Sequence, residues 1–161
     1  MPAVGYLHSE LSCLEKMTLL KSYYHLCKPN VVYMMLICAF VGMLLAEQSV
    51  SSYGYLFISL TGIALCSASA AAINQVVDRK TDASMTRTDQ RPLPQGELSP
   101  THASIFALVI GVLGALVLYF YVNTLTMILT IASLIGYAFI YTIYLKRATP
   151  QNIVIGGLAG A

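Results

Sequence analysis

The sequence predicts an all-α fold, a polytopic transmembrane helix bundle, on three observations. Hydrophobic residues make up 57% of the chain and charged residues only 10%, and the mean hydropathy is +0.71. A soluble domain contains about 25% charged residues. The apolar residues are also collected into long runs without Asp, Glu, Lys or Arg, at 48–77 and 98–145. Runs of this length are typical of membrane spans.

The predicted elements begin with residues 1–22, a polar N-terminal cytoplasmic extension that we expect to be partly disordered or to lie along the membrane surface. It lacks the apolar core and cleavage site of a signal peptide. The first span covers residues 31–46, just under the roughly 20 residues of a comfortable crossing. It can cross if Pro29 and Asn30 lie at the interface. A second span fits within residues 55–77.

Two further spans fit within residues 98–145, with a turn at 122–124. Lys146 and Arg147 end the fourth span, and residues 153–161 begin a fifth. Positive charges predict the orientation, because cationic loops remain in the cytoplasm. All nine lysines and arginines fall in the N-terminal segment, the loop after the second span or the loop after the fourth. Four spans place these segments on one side, so the loop after the second span is predicted to be cytoplasmic.

Asn74, Asp78 and Asp82 form an N-x-x-x-D-x-x-x-D series at the end of the second predicted span. On an α-helix these side chains stay within roughly 80° of one face and rise about 6 Å per step. Carboxylates and an amide carbonyl are ligands that suit Mg²⁺, which completes its octahedron with water and substrate phosphates. The alternative is that they only mark where a helix meets water. Because polar groups at the membrane end of an apolar run are costly, we favour a Mg²⁺ site.

Arg87 and Arg91 follow this series, four residues apart, and would lie near one another if the helix continued. A guanidinium pair binds diphosphate oxygens bidentately, so the combination suggests a diphosphate site in which Mg²⁺ lies between the carboxylates and the phosphates. The alternative is that these arginines only fix the orientation in the membrane. Pro92, Pro94 and Gly96 predict a turn-rich cap that does not extend the helix.

Three strings of the sequence resemble a known family. They are N-x-x-x-D-R-x-x-D-x-x-M-x-R-T-x-x-R-P-L-P at 74–94, Y-T-x-Y-L-K-R-x-T-P-Q-N-I-V-I-G-G at 141–157, and H-L-C-K-P-N-V at 25–31. From about residue 22 to residue 161, the chain resembles the protoheme IX farnesyltransferase (haem O synthase) branch of the UbiA prenyltransferase superfamily. The acidic series alone would indicate only the superfamily. The R-T-x-x-R-P-L and T-P-Q-N-I-V-I-G-G strings are more specific to the haem branch.

The resemblance implies a Mg²⁺-dependent transfer of a farnesyl group from farnesyl diphosphate to a vinyl group of haem B. It implies that Asn74, Asp78 and Asp82 form the catalytic set, which holds Mg²⁺ and, through it, the diphosphate. It further implies a bacterial or mitochondrial inner membrane location, with terminal oxidase assembly proteins as partners and no nucleic acid. The residues that it implies for neutralising the diphosphate are Arg87, Arg91, Lys146 and Arg147.

Tyr137, Tyr141 and Tyr144 share a helix face that leads to the cytoplasmic loop, and they could line a prenyl pocket. The alternative is that they belong to the aromatic belt or to helix packing. His25 could meet haem near the first span, although an interfacial histidine is the simpler interpretation. The three histidines and four cysteines show no spacing typical of a zinc site or a disulfide framework.

Members of this superfamily have about nine helices and a second acidic motif in a later loop. We therefore expect residues 23–161 to be the N-terminal half of such a domain and to be an incomplete catalyst alone. Two other functions remain open. One is a prenyltransferase for an aromatic acid such as a quinone precursor, which the R-T-x-x-R-P-L string disfavours. The other is a non-catalytic transporter or assembly fragment, which the lack of charge in mid-membrane disfavours.

Overall fold

The computed structural model describes residues 17–46, 53–86 and 88–138, and it confirms the predicted all-α membrane fold. The helices are α1 (Met17–Leu26), α2 (Pro29–Ala46), α3 (Tyr53–Asp82), α4 (Pro100–Tyr121) and α5 (Thr124–Ile135). Helices α3 and α4 are each long and apolar enough to cross a membrane, and α1 with α2 would form a third, bent span. Large apolar side chains on the outer faces of α2 and α4 are exposed, as expected of surfaces that contact lipid.

A bend of 50° separates α1 from α2, and Pro29 explains its position. Proline at the first position of a helix loses no hydrogen bond, but it disfavours the helical conformation in the residue before it. That residue, Lys28, adopts the left-handed region with φ 49°. Its N–H donates to the His25 carbonyl at 3.2 Å, and its own carbonyl accepts from the N–H of Val31 at 2.9 Å. The described helix α1, Met17–Leu26, includes residue 22, where the N-terminal extension was predicted to end. That domain boundary stays a prediction.

Helices α3 and α4 pack closely because small residues face each other along their contact. A Cβ atom added to Gly62 would lie 2.6 Å from Leu118 Cδ2, and one added to Gly114 would lie 2.9 Å from the Gly62 carbonyl oxygen. The hydroxyl of Ser69 donates to the Ala107 carbonyl at 2.7 Å. Small residues of this kind allow membrane helices to approach and bond across their backbones.

The turn predicted at residues 122–124 is present between α4 and α5. Val122 follows the last residue of α4, and Asn123 caps α5 because its side-chain oxygen accepts from the N–H of Thr126 at 2.7 Å. Described structure ends at residue 138. The predicted end of the fourth span at Lys146 and Arg147, and the predicted start of a fifth, lie outside it.

The turns between α3 and α4 are held against the helices by a small apolar core. Leu93 and Leu98 are buried in these turns and pack in one cluster with Leu26 of α1 and Ala72 of α3. Leu26, Ala72 and Leu93 of this cluster each stand two positions from a polar residue of the site described below. Their packing therefore holds the α1–α2 break, α3 and the turns after α3 against one another.

Candidate functional site

The predicted acidic face exists at the C-terminal end of α3. Asn74, Asp78 and Asp82 are only 4%, 3% and 4% exposed, and the Nδ2 atom of Asn74 donates to Oδ2 of Asp78 at 3.2 Å. An unpaired buried polar group costs about 1–3 kcal/mol, so three such side chains on one buried face require partners. We call these three residues the acidic row. Its role in metal binding and catalysis stays a prediction.

One partner of the acidic row comes from the α1–α2 break. The Nζ atom of Lys28 donates to Oδ1 of Asn74 at 2.5 Å. Lys28 itself adopts the left-handed backbone conformation at the break. Sequence reasoning treated Lys28 only as one of the cationic residues that set the orientation. The H-L-C-K-P-N-V string contained it, but nothing in a single sequence joins position 28 to position 74.

A second partner comes from the turns after α3. The NH1 atom of Arg91 lies 2.6 Å from Oδ2 of Asp82, with side chains 30% and 6% exposed, respectively. Thr88 fixes the chain between them, since its hydroxyl donates to the Asp82 carbonyl at 3.0 Å. Helix α3 ends at Asp82 and does not continue to Arg91, so the chain folds back to bring this arginine to the row. Arg87 lies outside the described residues.

Gln75 was also missed by sequence reasoning. Its side chain is 2% exposed, and its Nε2 atom donates to the backbone carbonyls of His25 at 3.1 Å and Leu26 at 3.0 Å. These bonds tie the α1–α2 break to α3 beside the acidic row. The Oε1 atom of Gln75 is buried and has no hydrogen-bond partner within the described part of the chain. A glutamine at the membrane end of an apolar run was the signal that could have identified it.

A polar cavity of about 440 Å³ lies between α1, the end of α3 and the turns that follow. Glu97 in its wall accepts a hydrogen bond from the Ser22 hydroxyl at 2.5 Å. The nitrogen-bearing basic side chains in the cavity wall are Lys21, His25, Lys28 and Arg91. Among described residues the wall is therefore predominantly basic, which suits an anionic ligand. Lys28 and Arg91 also contact the acidic row.

An apolar cleft of about 360 Å³ lies between α2, α3 and α5. Its walls include Val31 and Met35 of α2, Ile63 of α3 and Leu129 of α5, and Tyr137 lies at one side. An apolar cleft with few polar groups suits a hydrocarbon ligand. The structure thus brings Tyr137 to this cleft and His25 to the polar cavity. Their roles in prenyl or haem binding stay predictions.

The acidic row suits a hard divalent cation, within limits that its geometry sets. Carboxylate and amide oxygens are the donors that Mg²⁺ prefers. The rise of about 6 Å per step allows one ion to contact two successive members of the row but not all three. Within residues 17–46, 53–86 and 88–138, no three His, Cys, Asp or Glu side chains come together. Water and substrate phosphates would therefore have to complete the coordination.

Several predicted site residues lie outside the described ranges, and the structure does not place them. They are the diphosphate-binding candidates Arg87, Lys146 and Arg147 and the pocket candidates Tyr141 and Tyr144.

Comparison with known proteins gives consistent matches. The sequence profile of the UbiA prenyltransferase family matches residues 35–161. "Protoheme IX farnesyltransferase 2" of Pseudoalteromonas atlantica is 58% identical over 141 residues, which are 88% of this chain and 46% of that protein. "Protoheme IX farnesyltransferase" of Idiomarina loihiensis is 58% identical, over 88% of this chain and 47% of that protein. The Saccharophagus degradans protein of the same name is 55% identical, over 88% and 46%.

The chain thus spans about half the length of the curated relatives it matches. No solved structure matches.

Proposed function

The chain belongs to the UbiA prenyltransferase family, and on this premise we propose that its protein transfers a farnesyl group from farnesyl diphosphate to a vinyl group of haem B. The observation that carries the proposal is the buried acidic row with Lys28 and Arg91 in contact with it. The names of relatives that are 55–58% identical support haem as the acceptor.

The proposed reaction breaks the bond between C1 of the farnesyl group and the diphosphate oxygen. The allylic cation that results is attacked by the haem vinyl group, which forms a carbon–carbon bond. Water then adds its oxygen to the adjacent carbon and loses a proton, which leaves a hydroxyethylfarnesyl substituent. No protein nucleophile is needed. The protein must stabilise the leaving diphosphate and keep water from the cation until the carbon–carbon bond has formed.

Residues of the described site suit the first of these tasks. Mg²⁺, bound by the acidic row, would supply positive charge that stabilises the leaving diphosphate. The carboxylates come from Asp78 and Asp82, which are only 3% and 4% exposed. Electrostatic interactions are stronger at such buried positions than in water. Arg91 lies 2.6 Å from Asp82 and also lines the polar cavity, and the remaining donors of its guanidinium would bind phosphate oxygens there. Arg87, Lys146 and Arg147 remain proposed contributors.

The apolar cleft suits the second task. Its walls come from α2, α3 and α5, and its hydrocarbon lining would hold the farnesyl chain while excluding water. Tyr137 lines the cleft, and an aromatic ring there would stabilise an allylic cation. We propose that the chain of the substrate lies in this cleft. Tyr141, Tyr144 and His25 remain proposed contacts of the prenyl or haem groups.

The setting of the reaction is also proposed. We propose Mg²⁺ as the divalent cation and the bacterial or mitochondrial inner membrane as the location, with the turns after α3 on the cytoplasmic or matrix side. Terminal oxidase assembly proteins are the proposed partners, since they would receive the product.

A chimera tests the proposed function. This chain would replace the matched half of the Pseudoalteromonas atlantica relative, of which it covers 46%, and membranes containing the chimera would receive farnesyl diphosphate and Mg²⁺ with haem B. Chromatography and mass spectrometry should detect the hydroxyethylfarnesyl haem. A parallel reaction with 4-hydroxybenzoate as acceptor should give no prenylated product. Product from the aromatic acid alone would contradict haem as the acceptor, and product from neither would contradict the proposed transfer.

A further inference from the structure

Lys28 and Arg91 hold a double position in the structure. Each contacts the acidic row, through Asn74 and Asp82, and each also lines the polar cavity. A ligand bound in the cavity and a cation bound at the row would therefore both contact these two side chains. Neither the family resemblance nor the relatives' names assign a role to Lys28.

The contact of Lys28 with Asn74 competes with a metal ion. The ammonium group lies 2.5 Å from Oδ1 of Asn74, the only side-chain oxygen that this residue can offer to a cation. An ammonium group and a divalent cation on the same amide oxygen would repel each other, and the repulsion is strong at a buried site of low effective dielectric. A divalent cation that contacts Asn74 therefore favours departure of the Lys28 ammonium group.

The polar cavity gives Lys28 an alternative position. Its side chain is long and flexible, whereas its backbone is held by hydrogen bonds at the break, and the break is tied to α3 by Gln75. The side chain can therefore turn from the row to the cavity without movement of a helix. A ligand that carries several negative charges would be the favoured occupant of this basic cavity.

We propose that Lys28 is a place-holding cation. It neutralises the acidic row when no metal is bound, and it moves to the diphosphate group of the prenyl substrate when a divalent cation takes its position. The proposal rests on the proposed function in one respect, that the row binds a metal and the cavity receives its diphosphate. It adds the residue that couples the two ligands.

The proposal predicts effects of opposite sign on the two ligands when Lys28 loses its charge. If Lys28 occupies the row in about nine molecules of ten, the metal-competent fraction is about one tenth, and removal of the lysine should strengthen metal binding about tenfold. The same change removes one charge-assisted hydrogen bond to the diphosphate, so diphosphate should bind about tenfold more weakly. A residue that only supported the fold would weaken both.

The experiment uses this chain in detergent micelles, without haem or a prenyl substrate. Binding of Mn²⁺ alone would be measured from the electron paramagnetic resonance signal of the free ion, and binding of labelled inorganic diphosphate would be measured by equilibrium dialysis in saturating Mn²⁺. The variants are Lys28→Met and Lys28→Gln, whose amide can still donate to Asn74. Lys80→Met is the control, since Lys80 lies exposed in the last turn of α3 and should change neither constant.

We expect tighter Mn²⁺ binding and weaker diphosphate binding in both Lys28 variants. Weaker binding of both ligands, an unchanged pair of constants, or no Mn²⁺ binding by any form would overturn the proposal. Because the measurement contains no acceptor, it can succeed even if haem is not the substrate, and it can fail while the chimera makes product. Failure of this inference is thus distinguishable from failure of the proposed function.

Discussion

The ion pair between Arg91 and Asp82 allows a prediction in which the two partners behave differently. Asp82 is almost fully buried, with a side chain 6% exposed, whereas Arg91 is 30% exposed. Removing one partner of a buried pair costs about 3–5 kcal/mol, because it strands the other charge away from water. Arg91→Met strands the buried carboxylate and should approach this cost.

Asp82→Asn should cost less. The arginine that it leaves behind can turn its exposed edge towards water, and the new amide still offers an oxygen to the guanidinium. The loss is then close to that of one hydrogen bond to a charged group, about 1.5–3 kcal/mol. The double variant Arg91→Met/Asp82→Asn should be more stable than Arg91→Met alone, because no unpaired carboxylate remains buried.

The assay is denaturant unfolding in detergent micelles with excess chelator, so that no metal compensates for a missing charge. The free energy of unfolding should fall in the order wild type, Asp82→Asn, Arg91→Met, with about 2 kcal/mol between the two single variants. Equal losses, or a larger loss for Asp82→Asn, would refute the argument that Asp82 is the stranded partner.

Three further predictions concern packing and the apolar cleft. Gly114→Ala should lower the free energy of unfolding by about 1–3 kcal/mol, because the new Cβ would lie 2.8 Å from Cys66 Sγ and 2.9 Å from the Gly62 carbonyl oxygen. Gly42→Ala is the control and should change this free energy little, because no atom lies within 4 Å of its new Cβ. Gln75→Leu should cost roughly 1–3 kcal/mol in the same assay, since two backbone carbonyls lose their donor. Tyr137→Ala should widen the apolar cleft, so the chimera's ratio of kcat/KM for geranylgeranyl over farnesyl diphosphate should rise, whereas the exposed Tyr119→Ala should leave it unchanged.

Much of the fold could be predicted because membrane composition restricts the answer. A chain with 10% charged residues and long uncharged runs has few stable forms other than spanning helices. The turn at residues 122–124 followed from a short polar interruption, and Asn123 caps α5 as a residue of that type should. The small residues of α3 and α4 permit close packing of the two helices, and the Ser69 hydroxyl accordingly reaches the Ala107 carbonyl.

The site was only partly predictable, because helical periodicity reports contacts within one helix alone. It placed Asn74, Asp78 and Asp82 on one face, and that face is buried. The partners of the row come from elsewhere in the chain: Lys28 from a left-handed break 46 residues before Asn74, and Arg91 from turns that fold back on α3. Such contacts depend on how the helices pack, which spacing in a single sequence does not encode.

The most direct test of the central claim is the mass of the haem product formed by the chimera, with either the native acidic row or Asp78→Asn. Asn at position 78 keeps the size of the side chain and removes one carboxylate charge from a group only 3% exposed. Membranes with the native row should convert haem B to its hydroxyethylfarnesyl derivative, and Asp78→Asn should reduce the rate at least about a hundredfold, as expected for the loss of a group that stabilises transition-state charge. Equal rates from both forms would show that the acidic row does not carry the diphosphate chemistry.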